Sequence, residues 1–380
     1  MPGGSGRRRI QRTEWRDEGQ CAHRAWSGRR PHRERFRWWR ASARGRLHDQ
    51  QRPRARGKAA HTGGAQRDQN RGSSRIRAAN YALAGTARSG FLNVLKAPGE
   101  TSHSVVGRIR RLIGQRRVGH AGTLDPAAAG VLPIAVGSAT RFTMVTGWNL
   151  KIYWADICFG SATDTDDAEG RVIATADVEH IGLSQIEESL GSFLGELVQR
   201  PPIYSAVRVD GRRSYRNARS GLARPPKERS VTVDAIRIVG WSAPMLSVLV
   251  QCRSGTYIRS LARDLGEILG SAAHLAALVR LRVGPFSIID ALSYEELEAV
   301  ANRNSWDEIL WPSDVPLRGV PALFASEERE RDFGHGRFWA VSTKGTAGQA
   351  RVYGHDGEFL GLADRIEEQW RPSVVLGSPT

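Results

Sequence analysis

Gly119, His120, Ala121, Gly122, Thr123, Leu124 and Asp125, followed at once by Pro126, make a short polar loop with one carboxylate at its end. Pro126 disfavours helical geometry at the residue before it, so Asp125 is expected on an extended or turning backbone. An acid in such a place is either a turn former or a reagent. The segments on either side have to decide between them.

Upstream, Phe91, Leu92, Val94 and Leu95 read as a short buried strand, and Pro98 and Gly99 as a turn. Thr101 or Ser102 then caps a helix whose apolar positions, Val105, Val106, Ile109, Leu112 and Ile113, keep the helical period. Its other face carries Arg108, Arg110 and Arg111, and Arg116 and Arg117 follow in the turn before the loop. Five arginines there are either a solvated helix face or a ridge that meets phosphate.

Downstream, residues 131–136 and 151–159 read as apolar strands, the second carrying Tyr153. Between Gly160 and Gly170 lies an acidic turn with Asp164, Asp166, Asp167 and Glu169. Its spacing does not match a calcium loop, and a capped turn is the default. An amphipathic helix is expected over 182–196 on Leu183, Ile186, Leu190, Phe193 and Leu194. A stiff run, 199–206, leads to the basic stretch Arg208, Arg212, Arg213, Arg216 and Arg219. Residues 231–239 and 245–253 read as strands. The segment from Thr256 to Arg259 opens a helix with Ile258, Leu261, Ala262, Leu265, Ile268 and Leu269 inward. Residues at a strand-to-helix switch often face a cleft, which makes Tyr257 and Arg259 site candidates against the plainer readings of core tyrosine and surface arginine.

The net charge of +17 is unevenly placed. Residues 1–88 hold 22 Arg and one Lys against six acids, whereas residues 89–380 hold 33 bases and 33 acids. The whole excess sits in the leader. With no sustained apolar period, residues 1–88 are expected to be a disordered Arg-rich arm or an over-extended translation start, although Trp38 and Trp39 among arginines could stack on bases. A folded part of zero net charge must draw in nucleic acid through a local patch. Three separated cysteines suit a reducing, cytoplasmic setting and offer neither a disulfide framework nor a zinc site. No run of about eighteen apolar residues exists to span a membrane.

From residue 317 the texture becomes glycine-punctuated short strands (338–342, 350–353, 359–362, 373–376), read as a small β-rich domain. No phosphate-cradling glycine loop, HExxH motif or nucleophile elbow is present. What remains is an isolated acid in a glycine loop, a tyrosine on a strand, an arginine at a helix start and basic stretches nearby. An aspartate acts as nucleophile only while ionised, and a guanidinium within a few ångströms keeps it so without giving up a proton.

Residues 91–286, which are 196 of the 380, closely resemble the TruB family of tRNA pseudouridine-55 synthases. The matching blocks are K-A-P-G-E-T-S at 96–102, G-H-A-G-T-L-D-P at 119–126 and G-S-A-T-D-T-D-D-A-E-G at 160–170. Q-R-P-P-I-Y-S-A at 199–206, G-T-Y-I-R-S-L-A-R-D-L-G at 255–266 and A-H-L-A-A-L-V-R-L-R-V-G-P-F at 273–286 complete them. Ala97 replaces the family's usual proline, and Arg208 its common lysine.

The resemblance implies an α+β pseudouridine synthase fold with a long mixed, mostly antiparallel sheet over 89–316. A small β-rich PUA-like domain is implied over 317–380. It implies Asp125 as the catalytic aspartate, Tyr153 as the residue that stacks on the target base, with or without also taking the C5 proton, and Arg259 as partner of the carboxylate. Asp167 would help hold that arginine, Tyr257 and Leu278 would pack around the flipped base, and His120 would fill the opened T-loop. Lys96, Arg116 and Arg117 are expected to contact the RNA. The implied reaction is an isomerisation that requires no cofactor or metal. The implied partner is tRNA, through its T-arm and with the acceptor arm against the C-terminal domain, and a monomer without membrane association is expected.

Overall fold

In the computed structural model the described residues are 88–144, 148–204, 208–209, 212–213, 227–340 and 348–376. The chain divides into two units, Met1–Arg88 and Ser89–Thr380, and the described elements lie in the second. The Arg-rich leader lies outside the described residues, as do Ser205, Ala206, Arg216 and Arg219.

The strands are β1 (Gly90–Lys96), β2 (Val118–His120), β3 (Ala129–Val136), β4 (Lys151–Phe159), β5 (Ser161–Thr163), β6 (Val172–Thr175), β7 (Gly195–Gln199), β8 (Arg208–Val209), β9 (Arg212–Arg213), β10 (Arg229–Ser242), β11 (Met245–Cys252), β12 (Ala273–Val283), β13 (Phe286–Ser287), β14 (Ala322–Phe324), β15 (Trp339–Ala340), β16 (Gln349–Tyr353), β17 (Phe359–Ile366) and β18 (Gln369–Val375). The α-helices are α1 (Ser102–Ile113), α2 (Leu183–Gly191), α3 (Ile258–Ile268), α4 (Tyr294–Arg303) and α5 (Glu327–Gly334).

A nine-stranded sheet runs β1-β3-β12-β4-β11-β10-β7, with β2 on β3 and β13 on β12. Its pairs are antiparallel except β12 against β3. This is the mixed, mostly antiparallel sheet expected for the fold. The apolar runs of β1 and β3 are buried along their whole lengths, as strands covered on both faces must be. Leu92, Val94, Leu132, Ile134 and Val136 pack against α1 and α4 in one core. Tyr153, Ala155, Ile157 and Phe159 of β4 join Val248, Val250, α2 and α3 in another.

Helix α1 starts as its sequence dictates, with the Thr101 hydroxyl accepting from the Ser104 amide, and stops at Gly114, whose φ of +70° suits a residue without Cβ. Not all of its arginines are available as a ridge. Arg108 pairs with Glu298 at 2.7 Å and lies over the Tyr294 ring, and Arg110 donates to the Val118 carbonyl. Arg111, Arg116 and Arg117 are exposed.

Two periodicity readings need correction. The helix expected over 182–196 ends at Gly191, because Gly195 adopts φ of +90° and sends the chain into β7, the edge strand. Phe193 still turns inward, but Leu183 and Leu194 are exposed. In α3, Ile268 faces solvent where the helical period placed it inside.

Residues 322–375 form a five-stranded sheet, β14-β16-β17-β18-β15, with Ala325, Phe333, Ala350, Val352, Leu360, Ala363 and Trp370 as its core. The strand expected over 338–342 is described only as Trp339–Ala340. No described helix is long and apolar enough to cross a membrane.

Candidate active site

The loop that carries Asp125 is fastened from four sides. Ser102, at the start of α1, accepts from the Leu124 amide at 2.9 Å and donates to the Leu124 carbonyl at 3.0 Å. Lys96, at the end of β1, donates to the Pro126 carbonyl at 3.1 Å and the Ala128 carbonyl at 2.6 Å. The Gly99 amide also reaches Pro126 O, and the Ala128 amide closes a turn onto Asp125 O. From β12, Arg280 donates to the carbonyls of Gly122, Thr123 and Val131 at 2.8–3.2 Å. Backbone groups with no regular partner are thereby satisfied by buried side chains, which fixes the loop without secondary structure.

Gly130, at the far end of the loop, explains how Arg280 gets so close. Its φ is +112°, and a Cβ there would fall 2.2 Å from the Arg280 carbonyl oxygen. Only glycine permits the parallel approach of β3 and β12 at this point.

Asp125 emerges from this scaffold with its side chain 38% exposed, and Arg259 Nη2 lies 3.0 Å from its Oδ2. Arg259 opens α3 and is almost fully buried. Its Nη1 lies 3.4 Å from Asp167 Oδ2 and donates to the Thr165 carbonyl, while Nη2 donates to the Tyr204 carbonyl. One guanidinium therefore ties together the Asp125 loop, the acidic turn and the segment before residue 205. Asp167 is itself oriented, since its Oδ1 accepts from the Thr165 hydroxyl at 2.6 Å and the Glu169 amide at 3.1 Å. A carboxylate held beside a fixed guanidinium keeps its oxygens in one place.

Tyr153 is buried on β4 directly opposite Arg280 of β12, and the nearby guanidinium favours its phenolate. Burial, more than any other influence, pushes the phenol up to about 12, so it holds its proton at neutral pH. Arg280 has no exposed surface and is pushed down by burial, with Tyr153 and Asp125 opposing that effect.

The other expected residues are distributed around this centre. Leu278 pairs with Ala155 on β4 and packs on the core that includes Tyr153. Tyr257 caps α3, with its backbone N–H and C=O both bonded to the Gln199 side chain and the Arg229 guanidinium 5.5 Å from its ring centre. His120 is half-buried on β2 opposite Ile134. Arg116 and Arg117 are exposed at the entrance to β2.

Lys96 is a correction. The expectation placed it on the RNA, but it has no exposed surface and spends its ammonium on loop carbonyls. Burial pushes it down to about 8, against the attraction of Glu100 and Asp125. Sequence reasoning also passed over Ser102 and Arg280 as site residues. Arg280 left a signal, because it is a full charge inside the apolar run Leu278–Val279–Arg280–Leu281.

A buried guanidinium thus holds two carboxylates, Asp125 and Asp167, near a buried tyrosine on a long mixed sheet. The model of the TruB family pseudouridylate synthase N-terminal domain matches residues 110–258, and that of the tRNA pseudouridylate synthase B C-terminal domain matches 259–318. The chain is 36% identical over 292 residues to the tRNA pseudouridine synthase B of Dehalococcoides mccartyi, covering 77% of this chain and 97% of that one. It is 42% identical over 251 residues to the protein of the same name from Synechocystis, covering 65% and 84%. Among solved structures, a Cbf5-Nop10-Gar1 complex superposes with a TM-score of 0.58 at 25% identity, covering 76% of this chain and 84% of that one. The chain belongs to the TruB family of pseudouridylate synthases.

Proposed function

We propose that the protein isomerises the T-loop uridine of tRNA, uridine-55, to pseudouridine. The observation that carries the reading is the 3.0 Å contact between Asp125 and Arg259 on a loop that buried side chains hold rigid. A base stacked inside folded RNA is out of reach, so the uridine is flipped into the cleft and lies against Tyr153. Asp125 attacks or deprotonates the ribose, the bond from N1 to C1′ breaks, the freed uracil turns, and C5 bonds to C1′. The C5 proton is lost and N1 gains one, so product and substrate are isomers and no oxidant or group donor enters. Arg259 keeps the carboxylate ionised and aimed, while Asp167 holds Arg259. With its phenol protonated at neutral pH, Tyr153 serves as a stacking platform better than as a base.

Tyr257 and Leu278 pack around the flipped base, and His120 fills the space it leaves. Arg116 and Arg117 meet the RNA backbone. Residues 89–316 form the catalytic domain, and 317–380 a PUA-like domain for the acceptor arm. The enzyme works as a cytoplasmic monomer.

The test compares pseudouridine in tRNA from cells with the gene, without it, and with Asp125→Asn. Loss of the T-loop modification in both altered strains, with RNA binding by the purified variant preserved, is the expected result. Modification elsewhere than in tRNA would reassign the substrate. Retained isomerisation by Asp125→Asn would remove the nucleophile.

A further inference from the structure

Lys151 opens β4, two residues before Tyr153 and so on the same face of the strand. Its ammonium sits beside the catalytic loop. A Cβ built on Gly122 would lie 4.0 Å from Lys151 Nζ and 3.7 Å from Arg280 Nη1. Two cations thus share one corner of the site. The groups that act on Lys151 are Arg280, which disfavours its charge, and the buried Cys252 thiol; Asp125 acts on Arg280, and no carboxylate is among the groups that act on Lys151. Burial pushes Lys151 down to about 8, ahead of Arg280 in effect. The two cations differ in use. Arg280 is fully enclosed and its N–H groups go to the carbonyls of Gly122, Thr123 and Val131. Lys151 keeps part of its surface open, and its Nζ makes no hydrogen bond to a described residue.

A half-buried ammonium next to a second cation, with no acid acting on it directly, is unfavourable as it stands and is relieved by an anion. We propose that Lys151 is a substrate-positioning residue that binds a non-bridging phosphate oxygen of the RNA backbone beside the flipped uridine. The inference rests on the proposed action on RNA and adds to it a fixed point for the sugar–phosphate chain. The catalytic unit has no net charge, and Arg108 and Arg110 are committed to Glu298 and Val118. A phosphate that must move with its extruded base needs a cation inside the cleft, and Lys151 is placed there. A strongly hydrated point charge on a flexible stem suits an oxygen that shifts as the base flips.

The experiment measures pseudouridine formation and binding on a T-arm RNA with wild type, Lys151→Met and Lys151→Arg. Lys151→Met should raise KM and Kd about tenfold with kcat within about twofold, and lower the slope of log affinity against log salt by about 0.7 to 1. Lys151→Arg should recover most of the affinity. A T-arm carrying one neutral methylphosphonate beside the target uridine should bind wild type and Lys151→Met alike. Removal of one of two neighbouring like charges should leave the melting temperature unchanged or higher.

An unchanged Kd and salt slope in Lys151→Met would overturn the proposal. So would a fall in kcat alone or a drop in melting temperature without rescue by arginine, since either would make Lys151 a support for the loop. Wild type that fails to modify the T-arm at all would instead overturn the functional reading, so the two failures are separable.

Discussion

Tyr153 and Arg280 face one another across β4 and β12, and the guanidinium beside the phenol bonds the carbonyls of Gly122 and Thr123. The proposed base platform and the Asp125 loop therefore meet at one side chain. Tyr153→Phe should keep the stacking face and bind RNA within about threefold of wild type. Tyr153→Ala should lose both binding and turnover. Binding measured separately from single-turnover rate distinguishes the two.

Arg259 makes four contacts through two nitrogens, to Asp125, Asp167, Thr165 O and Tyr204 O. A lysine ammonium cannot span them. Arg259→Lys should reduce the single-turnover rate by about 100-fold or more while RNA affinity changes little. Asp167→Asn keeps the shape and loses the charge, and a smaller drop is expected. Near-normal turnover in Arg259→Lys would argue against the pair as the activating contact.

Ser102 both donates to and accepts from Leu124. Ser102→Ala would leave a buried N–H and a buried C=O without partners, at about 2 kcal/mol of stability by the usual penalty for such groups. Denaturant unfolding reads the loss. The rate should fall further than stability alone explains, since the residue after Leu124 is Asp125, the proposed nucleophile.

Gly130→Ala is the backbone counterpart. Its Cβ would fall 2.2 Å from the Arg280 carbonyl oxygen, at a φ of +112° that an L side chain rarely adopts. Neither strand can retreat without unpairing, so a loss above about 4 kcal/mol, or failure to accumulate as folded protein, is expected. Gly99, with nothing within 4 Å of its Cβ position, is the control on space.

Lys96 gives a pH dependence with a definite sign. Its pKa is pushed from 10.5 down to about 8 on folding, so between those values the unfolded chain binds more protons than the folded one. Stability from this group therefore rises as pH climbs from about 8 to 10.5. Lys151 adds in the same direction. Tyr153, pushed from 10 up to about 12, acts oppositely, and stability falls as pH rises through that interval. Urea midpoints from pH 7 to 10 should rise less with pH in Lys96→Met than in wild type, measured relative to each protein at pH 7.

Much of this centre was legible because its chemistry concentrates in short motifs. The Gly119–Pro126 loop, the helix start at Arg259 and the Thr101 cap could each be read from neighbouring residues. The parallel contact of β3 with β12 could not, because nothing near Gly130 encodes a partner some 150 positions away. Lys96 misled for a related reason. A lysine in a motif resembles a phosphate contact until the carbonyls of Pro126 and Ala128 are seen around it. The helix over 182–196 overshot because Leu194 keeps the period while Gly195, with φ of +90°, ends it.

The span between the Asp125 loop and Arg280 also orders events in time. Arg280 N–H groups meet carbonyls 149 to 158 positions earlier in the chain. A ribosome that has released the loop, β4 and even Arg259 has still not delivered the side chain that locks Gly122 and Thr123. The last fastening of the Asp125 loop therefore waits until β12 has left the exit tunnel.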